Sequence, residues 1–428
     1  MKKVLIITYY WPPAGGPGVQ RWLKFVKYLR DFGVEPVLYI PENPSYPITD
    51  KSFLNEVPQD IRLIKKPIFE PYALASIFSR KQTRTISSGI IAKEEKQNFV
   101  QRLMLYVRGN FFIPDARKFW VRPSVKFLTE FLNTENIDTV ITTGPPHSLH
   151  LIGLKLKRKL DVKWIADFRD PWTNIGYHKK LKLSQASQKK HIKLEKEVLN
   201  EADRIITTSF TTKEEFQSKT DKPVTVITNG YDITSGEDLS ESGKKFSLAH
   251  IGSLLSERNP KNLWEALSEL VQENKDFSRD LQLDLAGTVS EEVIESINKY
   301  RLDNHLKLHG YLSHREALKM QRSSIILLLI EIDSEETKGI IPGKIFEYLA
   351  AKRPVIAIGP PNWDAGIILK ETEAGKVFGY EEKKSLKEEI LGSYKLFKEG
   401  QLQCDSKNIE KYSRKQLTGK LAKLISEV

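Results

Sequence analysis

Residues 339–354, GIIPGKIFEYLAAKRP, hold the side chains of this sequence best suited to chemistry. The stretch reads as a glycine-punctuated loop entering a short helix, with Pro342 in the first turn, where a missing N–H costs nothing. Lys344 and Glu347 then fall one turn apart. The free N–H groups of that turn, with the helix dipole, make an anion site. The Glu347 carboxylate, a turn further in, can accept hydrogen bonds from sugar hydroxyls. A phosphate site beside a hydroxyl acceptor suits a nucleotide diphosphate-sugar. A glycine-rich turn ahead of a solvated Lys–Glu surface pair would read the same in isolation, so the rest of the chain has to decide.

Three further groups of residues bear on that decision. DFRDPW, residues 167–172, follows a buried-type strand and sets Asp167, Arg169 and Asp170 where a hydroxyl can be oriented or deprotonated. An Asp–Arg bridge closing a strand–helix turn is the structural alternative. His147, after two prolines and before a helix start, is a second polar contact, although a lone histidine is as readily structural. Gly15, Gly16 and Gly18 follow a strand and open a helix, so backbone can approach a ligand closely there. Arg258 and Lys261 follow another strand and flank Pro260 at a helix start. Two cations with helix N–H groups can neutralise a diphosphate without a metal, against solvated surface charge as the alternative.

The elements that must carry these residues alternate strand and helix throughout. VLIIT is a continuous apolar run of the buried parallel type. Val19, Trp22, Leu23, Val26 and Leu29 then repeat at helical spacing, Gly33 stops the helix, and VEPVLYI is the next strand. The pattern resumes with a helix near 124–132, strand DTVITT, helix LHLIGLKLKRKL and strand VKWIADF. A lysine-rich helix at 191–202, RIITTS, TTKEEFQSK and PVTVIT close the first series. Residues 232–245 are polar and glycine-bearing, the best linker in the chain. The second series runs from FSLAHIG through a Ser313-capped helix to SIILLLI and PVIAIG. Such βα repetition predicts two mostly parallel, doubly wound sheets with a cleft between their strand carboxyl ends.

Composition narrows the class. At 428 residues two or three domains are expected, and 40% hydrophobic with 29% charged residues is ordinary for a globular protein. Cys404, the single cysteine, excludes an internal disulfide framework and any CxxC zinc site, and fits a reducing compartment. MKKVLIITYYWPP reads as a strand and not a signal peptide, and the apolar run 325–330 is far short of the ~20 residues of a membrane helix. The expectation is a cytoplasmic protein. The net charge of +12 is uneven: residues 80–126 carry eleven basic residues against Glu94, Glu95 and Asp115, interleaved with aromatic and aliphatic ones. Either this is a helical insertion with solvated lysines, or it meets an anionic membrane peripherally; nucleic acid is a distant third.

Taken in order, GGPG (15–18), EKEVLNEADRIITTS, VITNGYD, HIGSLLSERNPKNLWEAL, LAG, LHGYLSHREAL and PGKIFEYLAAKRPVIA resemble a GT-B glycosyltransferase of the large retaining family 4. That is the type that builds bacterial surface polysaccharides such as lipopolysaccharide and capsule. TGPPHS and WIADFRDPWT are similar to a subgroup of it. The resemblance implies an α/β GT-B fold: two Rossmann-like doubly wound domains facing across a cleft. Residues 1–238 would bind the acceptor, with the basic aromatic insertion at about 73–123; residues 239–410 would bind the nucleotide-sugar; 411–428 would pack back on the first domain. It implies transfer of a sugar from a nucleotide-diphosphate sugar to a saccharide or lipid-linked saccharide hydroxyl, with retention and no metal or cofactor.

On matched positions it places Gly16, Gly18, Arg258, Lys261, Tyr311, Gly339, Ile340, Lys344 and Glu347 on the donor, with Tyr311 against the base and Glu347 on the ribose. Gly15 and His147 fall to the acceptor, and Asp170, Arg169 and Asp167 to catalysis. The sequence departs from the family at three points. Gly339 replaces the first of the two motif glutamates, Ser253 replaces an arginine after the strand glycine, and Arg169 replaces a histidine. The missing glutamate's contact would pass to backbone N–H groups of 339–341 or to Glu335, Glu336 or Lys338. A non-catalytic nucleotide-sugar-binding scaffold and a nucleotide-sugar epimerase of the same fold remain as alternatives.

Overall fold

The computed structural model describes residues 1–71, 99–174, 178, 181–232 and 245–428. Two expectations fall partly outside these: the first half of the basic aromatic stretch, and nearly all of the linker. The chain divides into two compact units, Met1–Asn229 with Arg414–Val428, and Gly230–Ser413.

The first unit runs β1 (Lys2–Ile7), α1 (Pro17–Leu29), β2 (Val34–Pro41), β3 (Arg62–Lys66), α2 (Phe99–Phe111), α3 (Lys118–Glu135), β4 (Thr139–Gly144), α4 (Ser148–Leu160), β5 (Lys163–Phe168), α5 (Gln185–Glu201), β6 (Arg204–Thr207), α6 (Phe210–Gln217) and β7 (Val224–Val226). All seven strands are parallel, in the order β3-β2-β1-β4-β5-β6-β7. Alternate residues of a strand face opposite sides, which explains the unbroken apolar run of β1. Val4 and Ile6 join Trp22 and Leu23 in one core layer, while Leu5 and Ile7 join Trp120, Leu128 and Ile152 in the other.

Two helix starts lie earlier than the sequence predicts. α3 begins at Lys118 and carries Pro123 inside it, because Trp120 and Val121 are buried, with Trp120 stacked 4.8 Å from Tyr39. α5 begins at Gln185, where the Ser184 side chain accepts a hydrogen bond from the Ser187 N–H as a cap. Gly33, at φ 77, ends the α1 region as expected.

The second unit runs β8 (Phe246–Ile251), α7 (Lys261–Glu273), α8 (Lys275–Asp280), β9 (Leu281–Ala286), α9 (Glu291–Lys299), β10 (Leu306–Gly310), α10 (His314–Ser323), β11 (Ile326–Ile330), α11 (Lys344–Ala351), β12 (Val355–Ile358), α12 (Asp364–Thr372), β13 (Gly375–Phe378) and α13 (Lys383–Lys398). Its six strands are parallel in the order β10-β9-β8-β11-β12-β13. Ser313 and Glu316 form a reciprocal capping box on α10. The last helix, α14 (Arg414–Ser426), returns to the first unit, burying Leu417, Leu421 and Ile425 against the layer that holds Val4 and Trp22.

Strand order reverses between β1 and β4 in one sheet and between β8 and β11 in the other. Each unit is therefore a Rossmann-like layer, and at each reversal the loops leaving the strand ends part to either side and open a crevice. The glycine loop, His147, Arg258, Lys261 and residues 339–347 follow those strands, while DFRD runs off the end of β5 and Tyr311 follows β10.

Candidate active site

In the first unit the glycine loop after β1 and the DFRD turn after β5 come together, although about 150 residues separate them in sequence. A Cβ on Gly18 would stand 1.6 Å from the Arg169 Nη1, so any side chain there has to displace that guanidinium. Gly16 instead needs its freedom for φ 103 as it caps α1. The Arg169 side chain donates to the Pro145 carbonyl and its backbone N–H to the Gly144 carbonyl at 2.9 Å. Its guanidinium lies 5.6 Å from the Tyr10 ring centre, and its Nε has no hydrogen-bond partner among the described residues. Asp170 follows, open to solvent. The mass of protein around it raises its carboxyl pKa, with the Arg169 charge acting against that, and its contact with water keeps the rise smaller than crowding alone would give.

Three of the residues expected at the site in this unit are engaged within the protein. Asp167 is fully buried and engaged: it accepts from Arg21 Nη2, Trp22 Nε1 and Thr143 Oγ1, each at 2.9 Å. Burial pushes its carboxyl pKa up, but the Arg21 charge and the hydrogen bonds from Arg21 and Thr143 outweigh that and hold it below the usual carboxylate range. Asp167 pins α1 to the sheet and is not presented to an acceptor. His147 is also interior, 5% exposed and stacked on Trp172 with ring centres 5.0 Å apart, where burial holds it neutral. Its ring sits in the interior of the unit, and neither ring nitrogen has a hydrogen-bond partner among the described residues. Gly15 spends its N–H on the Ile48 carbonyl at 3.0 Å and packs beneath that side chain.

In the second unit two of the proposed donor contacts, Lys344 and Arg258, converge on the ends of β8 and β11. Lys344, in the first turn of α11, directs Nζ to His250 Nε2 at 3.3 Å. Gly252, at φ 127, leaves the space the ammonium occupies, since a Cβ there would be 2.7 Å from Nζ. Arg258 donates through Nε and Nη2 to Glu331 Oε1, at 2.9 and 2.8 Å, and Glu331 is 1% exposed. Desolvation and then the Arg258 charge push the Lys344 pKa down to about 8, with Glu331 and Glu347 opposing. Two cations thus crowd one another at the head of a helix, a geometry that a phosphate would relieve.

Glu347 is half-buried and does not pair with Lys344; it accepts from Gln321 Nε2 at 2.9 Å through Oε2 and lies 4.0 Å from His314 Nδ1 through Oε1. Tyr311 is 92% exposed, which excludes packing as the reason for an aromatic there. Lys261 is exposed at the start of α7. Two details differ from the expectation. Pro342 precedes the helix, which starts at Lys344 with Gly343 as its cap. The Ile340 N–H is used by the Thr337 carbonyl at 2.9 Å, so it cannot replace the missing glutamate, and Lys338 is paired with Glu335 at 2.9 Å. Glu336 is engaged as well, so of the substitutes this leaves the Gly339 and Ile341 amides.

Sequence reasoning missed Arg21, His250 and Glu331. Glu331 had a signal: an acid directly after a six-residue apolar run is placed at a buried strand's carboxyl end. His250 and Arg21 had none, because their partners are distant in sequence. Among the described residues no group of three or more His, Cys, Asp or Glu is arranged to hold a metal.

Residues 82–235 match the family model Glycosyltransferase Family 4, and residues 234–399 match Glycosyl transferases group 1. With two Rossmann-like units beneath those adjoining matches, the chain is a glycosyltransferase of the GT-B fold. Solved structures of similar architecture include a Rickettsia africae glycosyltransferase, 16% identical, covering 100% of this chain and 98% of that one at a TM-score of 0.59. Anabaena HepE in complex with UDP is 14% identical over 100% of both chains, TM-score 0.61, and its UDP-glucose complex gives 0.58. The lipopolysaccharide outer core galactosyltransferase WaaB is 13% identical over 100% of both chains, TM-score 0.59. No curated protein matches the sequence.

Proposed function

We propose that this glycosyltransferase moves a sugar from a nucleotide-diphosphate sugar to a hydroxyl of a saccharide or lipid-linked saccharide, with retention, in cell-surface polysaccharide synthesis. The observation that carries the reading is the convergence of Arg258, Lys344 and the α11 N-terminus in the second unit, with Glu347 one turn on. The diphosphate leaves into fixed cations and helix N–H groups in place of a divalent ion, and the acceptor attacks the oxocarbenium-like sugar from the face the leaving group vacates. The UDP and UDP-glucose bound to HepE support a nucleotide-sugar as donor. Asp170, open to solvent with a raised pKa beside Arg169, is the group suited to take the acceptor proton.

A lipid-linked acceptor calls for contact with a membrane from the cytoplasmic side. No helix among the described residues is long and apolar enough to cross one. The surface that suits such contact lies on α2 and the start of α3. Leu103, Tyr106 and Phe111 are 51%, 44% and 63% exposed, and Arg102, Lys118 and Arg122 stand on the same two helices. Phe119 continues the apolar face, 5.7 Å from Phe69. Aromatic side chains rimmed by cations suit an anionic bilayer interface.

The test is transfer or donor hydrolysis by purified protein over UDP-, GDP- and dTDP-sugars, with the anomer read by NMR. Activity abolished in Arg258→Ala and Glu347→Ala supports the reading. Tight nucleotide binding without turnover would favour a scaffold, and release of an altered free sugar would favour an epimerase. Co-sedimentation with vesicles containing anionic lipid, lost in Leu103→Glu/Phe111→Glu, tests the membrane contact.

A further inference from the structure

We propose that His250 is a positioning residue: its neutral imidazole holds the Lys344 ammonium in the diphosphate subsite as a fixed acceptor. The inference rests on the donor reading above and assigns a role to a residue with no place in it so far. His250 lies on β8, wholly buried. Its Nδ1 is 3.1 Å from the Leu328 carbonyl oxygen, and a carbonyl can only accept, so Nδ1 carries the proton. The lone pair is then on Nε2, which faces Lys344 Nζ at 3.3 Å, and the ammonium donates to it.

The opposite tautomer is disfavoured, because a proton on Nε2 would point at the ammonium and leave the Nδ1 lone pair against the Leu328 carbonyl; protonating both nitrogens would set two cations together in a buried site. Burial first, and then the Lys344 charge, hold the His250 pKa well below its ordinary value. The charged groups around the pair are few. Lys344 comes from α11, Arg258 from the turn after β8, and Glu331 from the end of β11; Glu347 acts on Lys344 from the next turn of α11. The backbone hydrogen bonds to Leu328 and Ser253 favour the protonated ring, but burial and the Lys344 charge outweigh them. Glu331 is engaged with Arg258 through Oε1. Lys344 thus gains orientation from a neutral acceptor, which leaves its full charge for the ligand. A carboxylate at position 250 would cancel that charge. Gly252 completes the cradle by leaving the space that Nζ fills.

The test reads the lysine directly. Competitive acetylation across pH 6–10 with mass spectrometry follows the titration of Lys344 in wild type, His250→Phe and His250→Gln, first without ligand and then with UDP. Wild type should titrate near pH 8. His250→Phe keeps a ring in the cavity but offers no acceptor, so the midpoint should fall by about one pH unit, the size of one hydrogen bond to a charged group. His250→Gln can donate to Leu328 and accept from Lys344, so it should restore the wild-type midpoint. UDP affinity by calorimetry should weaken roughly tenfold in His250→Phe, and the double variant with Lys344→Met should be no weaker than Lys344→Met alone. Identical Lys344 titration in wild type and His250→Phe, or a His250→Gln midpoint as low as that of Phe, overturns the proposal. Failure of the donor reading looks different: the Lys344 midpoints shift among the variants as described, yet UDP moves none of them.

Discussion

Replacing Asp167 by Asn should destabilise the first unit sharply, and the size of the effect separates a structural carboxylate from a catalytic one. The side chains of Asp167 and Arg21 are 0% and 1% exposed and meet at 2.9 Å. Neutralising the acid leaves the Arg21 guanidinium buried without its counter-charge, and breaking such a pair costs about 3–5 kcal/mol. For a unit of this size 1 kcal/mol moves Tm by roughly 2–4 °C, so a fall of about 6–20 °C is expected. Trp11, Trp22, Trp120, Trp164 and Trp172 lie in this unit against Trp264 and Trp363 in the other, so tryptophan emission during urea unfolding weights the first unit. Arg21→Met should recover part of the loss in the double variant, with a coupling of about 1–3 kcal/mol, because the orphaned cation is then gone. Stability of Asp167→Asn within about 1 kcal/mol of wild type, together with loss of transfer, would refute the reasoning and return Asp167 to the chemistry.

Three further outcomes follow from the same geometry. The ammonium of Lys344 is the form that binds a diphosphate, and it is lost as pH rises through about 8, so UDP affinity should be flat below that pH and fall up to tenfold per unit above it; a flat calorimetric profile to pH 9.5 would remove Lys344 from the site. His150 and His191 are held neutral by burial, with pKa values lowered to about 3 and about 4, while the unfolded chain takes up those protons below ~6.5. Stability should therefore be full above that pH and drain as pH falls, by about 2–3 kcal/mol at pH 4.5 for His150 alone, and urea unfolding of His150→Phe should show a shallower acid limb. Gly18→Ala must drive the Arg169 guanidinium off the Pro145 carbonyl, and since that is the flexible end of a long side chain, transfer should fall at least tenfold with Tm little changed. Wild-type kcat/KM in that variant would detach Arg169 from the reaction.

The sequence by itself determined the architecture, because its signals are local. Apolar runs such as VLIIT can be satisfied only by burial on both faces, and helical spacing between them supplies the covering layers, so two parallel sheets follow. Caps such as Ser313 and the stop at Gly33 were legible for the same reason: each acts within a few residues. So was the placement of Lys344 and Glu347 on one helical turn. What each of those two side chains meets was not legible, since Lys344 turns to His250 and Glu347 to Gln321. The fate of the DFRD motif was decided by tertiary structure alone. Asp167 and Asp170 are three residues apart and chemically the same, yet one is locked by Arg21, 146 residues away, and the other is open to water. Desolvation and charge pairing depend on which distant strands and helices close over a side chain, and spacing along the chain carries no record of that.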